Sequence, residues 1–213
     1  MTISTANLMG EGIRTLSSSE SRFLPTLILI GGGAASGKSR IATKLVRSIP
    51  NAVLLDKDSL FSDWVDALLA AHGQPSNRDC AVYWDVIRPL EYRSLEKLAQ
   101  EHLRLGKVVV VDAPLRPELD DPGWVRRVEA ECEKLGAGLI PVWIEISPEC
   151  AHERMRRRSE PRDQWKLQNW DEFVRRQNYG APRAVKLVFN NDDNKAGESV
   201  VSTIMVAIGQ STA

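Results

Sequence analysis

The chain has 213 residues, 28 basic and 28 acidic side chains, and 43% hydrophobic content. That length is enough to bury a core, and the composition excludes disordered, collagen-like and disulfide-scaffold classes. The balanced charge makes a long polynucleotide an unexpected partner, although a local basic patch is compatible with a neutral total.

Cys80, Cys132 and Cys150 are far apart, and His72, His102 and His152 show no ligand spacing. Reduced cysteines are the expectation, with neither disulfide nor zinc chemistry. No apolar run reaches the roughly 18 residues of a membrane span. Residues 1–22 are polar, rich in Ser and Thr, and lack the basic and apolar blocks of a signal peptide. The expectation is a flexible tail over 1–22 ahead of one domain over 23–213, in a cytoplasmic protein with no membrane contact.

Leu24–Ile30 is an apolar run that reads as a strand buried on both faces. Glycines follow, then a helical pattern carrying Ile41, Leu45, Val46 and Ile49 up to Pro50. Ala52–Leu55 is a second short strand, ending in Asp56-Lys57-Asp58. Asp58 is placed to cap a helix with Leu60, Trp64 and Leu68 on its inner face. Residues 73–79 read as a loop, and 90–105 as a helix with Leu95, Leu98 and Leu105 inward, stopped by Gly106. Lys107–Asp112 is a third strand, followed by a Pro-rich loop and a helix over 124–135. Leu139–Ile146 is a fourth strand, and Ser147-Pro148 opens the next helix with a cap and an N1 proline. An arginine-rich stretch, a helix over 164–178, a fifth strand at Val185–Phe189 and an amphipathic helix over 197–208 complete the chain. This alternation predicts an α/β fold, a five-stranded parallel sheet flanked by helices in three layers.

Gly32, Gly33, Ala34, Ala35, Ser36, Gly37, Lys38 and Ser39 satisfy G-x-x-x-x-G-K-[ST] at every fixed position. Small residues let backbone amides approach a phosphate, and the helix that follows turns its positive end to the anion. In this motif Lys38 reaches the β- and γ-phosphates and the Ser39 hydroxyl ligates Mg²⁺. The ligand is read as ATP with Mg²⁺. Asn194-Lys195-Ala196-Gly197 fails the guanine-reading N-K-x-D, which argues against a GTPase.

The acceptor side is read from the strand ends. A hydroxyl attacking phosphorus needs positioning and a proton acceptor, and a carboxylate serves both. Asp58 is the favoured base. Asp56 is the alternative base or a support for magnesium, and a plain helix cap is the simpler role for Asp58. Asp112, at the end of the third strand, suits magnesium support or substrate positioning. Trp64, Trp84, Trp165 and Trp170 are read first as core, with an acceptor pocket as the alternative.

GGGAASGKS, LLDKDSL, VVVVDAPLRPEL and IEISPECAHERMRRRSEPRD together resemble a group of small P-loop kinases. That group includes chloramphenicol phosphotransferase, zeta-toxin kinases, gluconate kinase and polynucleotide kinases. The match spans about residues 24–192. The resemblance implies a P-loop NTPase fold with an Arg-rich lid. It assigns Arg154 to packing on adenine, and Arg158 and Arg162 to neutralising the transferred phosphoryl group. It places Arg116 in a substrate-side loop. The expected activity is transfer of the ATP γ-phosphoryl group to a hydroxyl of a small molecule, a metabolite or antibiotic. The alternatives are a polynucleotide 5′-hydroxyl kinase and a non-catalytic ATP-binding or toxin-like module. Asp63, Asp66, Asp79 and Asp85 near the acceptor segments favour a cationic or neutral polyhydroxy acceptor over a phosphate chain. Oligomeric state is not legible in the sequence.

Overall fold

A computed structural model describes residues 23–75, 77–160 and 163–209. The expected tail over 1–22 and Arg162 lie outside the described residues. Five strands, β1 (Thr26–Gly32), β2 (Ala52–Asp56), β3 (Val108–Asp112), β4 (Gly138–Glu145) and β5 (Leu187–Asn190), form one sheet in the order β2-β3-β1-β4-β5. Every pairing is parallel.

A parallel sheet must be covered on both faces, and strand alternation divides its side chains between two cores. Ile28 and Ile30 of β1, Val108 and Val110 of β3, and Val142 and Ile144 of β4 point to one face. There they meet Ile41 and Leu45 of α1 (Lys38–Ser48) and Val200, Ile204 and Ile208 of α9 (Ala196–Gly209). Leu27, Leu29, Val109, Val111 and Trp143 point the other way. That face is covered by α3 (Arg88–Arg104) and α5 (Pro122–Lys134), through Leu95, Ala99, Leu103, Val128 and Cys132. The expected three-layer α/β fold is the one observed.

Local departures have physical causes. α2 (Lys57–Ala71) buries Val65 and Leu69, while Leu60, Trp64 and Leu68 are exposed. The helix carries two adjacent apolar stripes, and its Phe61–Val65–Leu69 stripe packs on Tyr83 and Ile87. Its cap is Asp56, whose carboxylate accepts the Ser59 amide at 2.7 Å, so Asp58 falls in the first helical turn. A π-helical turn at Tyr83–Ile87 leads directly into α3, which buries Tyr92, Leu95, Ala99 and Leu103 and leaves Leu98 and Leu105 exposed. The Pro-rich loop contains α4 (Arg116–Asp120). α6 (Pro148–Arg158) starts as expected, with the Ser147 hydroxyl accepting the Cys150 amide at 3.3 Å. The helix expected over 164–178 is two, α7 (Gln164–Gln168) and α8 (Trp170–Gln177). Among the described residues no helix is long and apolar enough to cross a membrane.

Ile28 is fully buried at the centre of the sheet. Ile28→Ala is expected to lower the unfolding free energy by about 2–5 kcal/mol. A urea titration checks this; an unchanged midpoint contradicts the packing described.

Candidate active site

The site is assembled where the strands end. β1 runs two residues past its Ile30↔Asp112 register with β3, because Gly31 and Gly32 continue to pair with Trp143 and Ile144 of β4. The motif's first glycine is thus still strand. A Cβ on Gly32 would stand 2.6 Å from the Ser36 hydroxyl and 2.8 Å from the Ile144 carbonyl oxygen, so only glycine fits. Ala35 (φ 63) and Gly37 (φ 85) both take the left-handed conformation. This alternation curls successive amides into an anion-binding concavity. α1 begins at Lys38, so its unpaired first-turn amides open into the same concavity.

Parallel register aligns Asp56 of β2 with Asp112 of β3, one strand away from the loop. Asp112 is 3% exposed, and neither of its carboxylate oxygens closes a hydrogen bond among the described residues. Burial pushes its pKa up to about 6, opposed by the charge of Lys38 and the Ser39 hydroxyl and reinforced by Asp56. An orphaned carboxylate beside the loop's lysine and serine is a donor set suited to a hard cation. Mg²⁺ takes one or two carboxylates and completes its shell with water and phosphate. No group of three His, Cys, Asp or Glu among the described residues forms a metal cage. Asp58 lies at the same edge on α2, with the Lys57 ammonium at 3.5 Å and Arg78 at 3.8 Å from its Oδ1.

The arginines are placed differently from a free basic face. Arg154 donates from Nη1 to the carbonyls of Ala35 (3.2 Å) and Ser36 (3.4 Å). Its Nη2 donates to the carbonyls of Asn191 (2.5 Å) and Asp192 (3.2 Å). Arg158 forks onto Asp163 at 2.5 and 2.9 Å, and Lys166 adds a third contact at 3.2 Å. Burial alone would raise the Asp163 carboxyl pKa; the Arg158 hydrogen bonds and the Lys166 charge overcome it and hold the pKa below the ordinary range. Arg116 binds Asp120 at 2.5 Å and the carbonyls of Asn178 (2.9 Å) and Gly180. Its donors tie the loop after β3 to the segment leaving α8. Arg156 and Arg157 are the solvated members of the run.

Several residues at the site carry no motif. Tyr179 lies against Gly33, so close that a Cβ there would stand 3.0 Å from the ring. Burial, and then Asp163, raise its phenol pKa above the usual range. Asn191 is 2% exposed and donates to the Ser36 carbonyl at 2.7 Å. Lys57 and Glu91 form a buried ion pair at 2.7 Å behind Asp58. The one available signal was N-N-D-D-N at 190–194, a polar cluster just past a strand end. Of the four tryptophans read first as core, Trp64, Trp84 and Trp165 are exposed, and Trp170 packs partly buried in the lid on Phe173.

The raised Asp112 pKa has a stability consequence. Because the folded value, about 6, exceeds the unfolded one of 3.8, the linked stabilisation is complete below about pH 4 and disappears as pH rises through 6. Asp112→Asn, measured with chelator, is expected to stabilise the fold at pH 8 by up to about 3 kcal/mol and to give no gain near pH 4. Thermal unfolding across that range checks this; a pH-independent difference contradicts it.

Solved proteins share this fold. A solved protein of Chloroflexus aurantiacus j-10-fl shares 17% identity with a TM-score of 0.61, covering 90% of this chain and 99% of that one. The APS kinase CysC of Mycobacterium tuberculosis, in complex with AMPPNP and APS, shares 16% identity at TM-score 0.58, covering 86% and 96%. A sugar kinase of Janibacter sp. HTCC2649 shares 14% identity at TM-score 0.58, covering 89% and 98%. These likenesses show a common fold. No curated protein matches the sequence. The family model for the AAA domain AAA_33 matches residues 27–178, from β1 through the phosphate loop and the lid helices. With most of its length matched, the chain belongs to the AAA_33 family and has the fold of the small P-loop kinases.

Proposed function

We propose that this protein is an ATP- and Mg²⁺-dependent phosphotransferase acting on a hydroxyl of a small molecule. The observation that carries the reading is the orphaned, buried carboxylate of Asp112 beside Lys38 and Ser39 at the mouth of the loop. A buried carboxylate with neither oxygen in a well-formed hydrogen bond is costly in a resting fold, and a divalent cation held there with a bound triphosphate would offset that cost.

In this reading the amides of Gly32–Ser39 cradle the phosphate chain, and Lys38 neutralises its β- and γ-oxygens. Ser39 and Asp112, with Asp56 next to it in register, would hold the metal. When bound, Mg·ATP supplies the transferable phosphoryl group and the local positive charge. Asp58 orients the acceptor hydroxyl and takes its proton. Arg154 directs its donors within the guanidinium plane, which leaves stacking on adenine to its faces. Arg158, poised on Asp163, and Arg162 supply charge over the phosphoryl group. The internal hydrogen bonds of Arg116 support a bracing role in the loop after β3.

The acceptor side supports a small, neutral or cationic molecule. Asp63, Asp66, Asp79 and Asp85 are exposed there, which disfavours a polyanion. Trp64 and Trp84 are 71% and 46% exposed on the same elements, and aromatic faces suit sugar rings and aromatic antibiotics. Two structural neighbours, an APS kinase and a sugar kinase, support a small acceptor; APS is itself anionic, so they do not bear on its charge.

A mass-spectrometric screen tests this. Protein, Mg²⁺ and ATP are incubated with pooled hydroxylated metabolites and antibiotics, beside Lys38→Ala and Asp58→Asn. The expected result is a compound gaining one phosphoryl group with the wild type and not with Lys38→Ala. Asp58→Asn is expected to bind ATP normally and to lose at least about 100-fold in transfer rate. Transfer by Asp58→Asn at the wild-type rate overturns the assigned base. Transfer to oligonucleotides alone overturns the small-molecule acceptor.

A further inference from the structure

An anion-binding loop works by its amides, and each amide is the far end of a peptide group whose carbonyl points away. In this loop the carbonyls of Ala35 and Ser36 face protein, and side chains supply their donors. The Ser36 carbonyl receives the Asn191 amide at 2.7 Å and Arg154 at 3.4 Å; the Ala35 carbonyl receives Arg154 at 3.2 Å. Both peptide groups belong to the turn between the two left-handed residues, Ala35 and Gly37.

Asn191 is fixed from every side before any ligand arrives. Its backbone amide donates to the Glu145 carbonyl at 3.0 Å, at the end of β4. Its Oδ1 accepts the Ala196 amide at 3.1 Å, at the start of α9. Its carbonyl accepts Arg154. Its Nδ2 stands 2.7 Å from where a Cβ on Gly37 would lie, so the carboxamide rests directly on the loop's second fixed glycine. An ordinary buried asparagine needs none of this contact with a phosphate loop 155 positions away.

From this geometry we infer that Asn191, acting with Arg154, is a positioning residue for the phosphate loop: it holds the Ala35–Ser36 peptide carbonyls outward, so that the amides on the opposite side face the triphosphate. Donors behind a carbonyl also polarise the peptide and strengthen its N–H as a donor. The inference rests on the ATP-binding reading of the loop, and it adds that the nest is preorganised from the β5–α9 connection.

The test separates phosphate from base. Asn191→Ser removes the Nδ2 donor and keeps a short oxygen for the α9 cap. Binding of Mg²⁺-tripolyphosphate, Mg·ATP and adenosine is measured by calorimetry on the full chain, with unfolding temperature recorded beside it. The expected result is about a tenfold loss for tripolyphosphate and for ATP, the size of one hydrogen bond, with adenosine unchanged. Arg154→Met acts on the same carbonyls and is expected to weaken tripolyphosphate likewise. A folded Asn191→Ser that binds tripolyphosphate like the wild type overturns the inference. So does a loss confined to adenosine and ATP, which would place Asn191 at the base. If neither variant folds, NMR on the wild type decides: the Asn191 side-chain amide must be protected from exchange without nucleotide, and exchange at the solvent rate overturns the inference. A wild type that binds neither tripolyphosphate nor ATP would sink the ATP-binding reading itself, whatever Asn191 does.

Discussion

The parallel pairing of β1 between β3 and β4 is the constraint on which the rest depends. It sets Ile30 against Asp112 on one side and carries Gly31 and Gly32 along β4 on the other. The phosphate loop therefore starts beyond the level at which Asp112 ends, and the next strand places Asp56 at that same level. Two valine- and isoleucine-rich cores fix this register, because a one-residue slip would exchange the side chains facing α1 and α9 with those facing α3 and α5. Packing energy spent in the sheet thus becomes positional accuracy at its edge.

A second layer of order is polar and links the edge to the lid. Arg154 joins α6 to the loop and to the β5–α9 connection. Arg116 joins the loop after β3 to Asn178 and Gly180, on either side of Tyr179, which lies on Gly33. The lid thus enters and leaves through contacts with the phosphate loop. Ala34 and Ala35 complete the arrangement by packing against the lid's small core of Ile146, Ala151, Met155 and Phe173. Arginine suits these positions because one planar group addresses several carbonyls at once, which a lysine ammonium does less well.

The strands, their order of appearance, the helix–sheet alternation and the loop were legible in the sequence because continuous apolar runs and the glycine spacing are local signals. α2 shows where such signals end. Leu60, Trp64 and Leu68 have good helical spacing, but so do Phe61, Val65 and Leu69, and only the packing against the π-helical turn chooses between them. Asp56 and Asp58 both suit a cap, and the choice rests on where β2 stops. The arginine run was visible, and so was Asp163 five residues beyond Arg158, but the carbonyls that occupy Arg154 and Arg116 lie elsewhere in the chain. The polar cluster at 190–194 marks the place of Asn191 but not its role, which is defined by a partner 155 positions earlier.

The central claim is that Ser39 and Asp112 hold the metal of a triphosphate bound in the loop. A crystal structure with Mg²⁺ and a non-hydrolysable ATP analogue tests it most directly. The account predicts the β-phosphate within the Gly33–Ser39 amides and the metal bonded to the Ser39 hydroxyl, with Asp112 in its shell directly or through water. A triphosphate bound elsewhere, or a metal with no connection to Ser39 and Asp112, would contradict it.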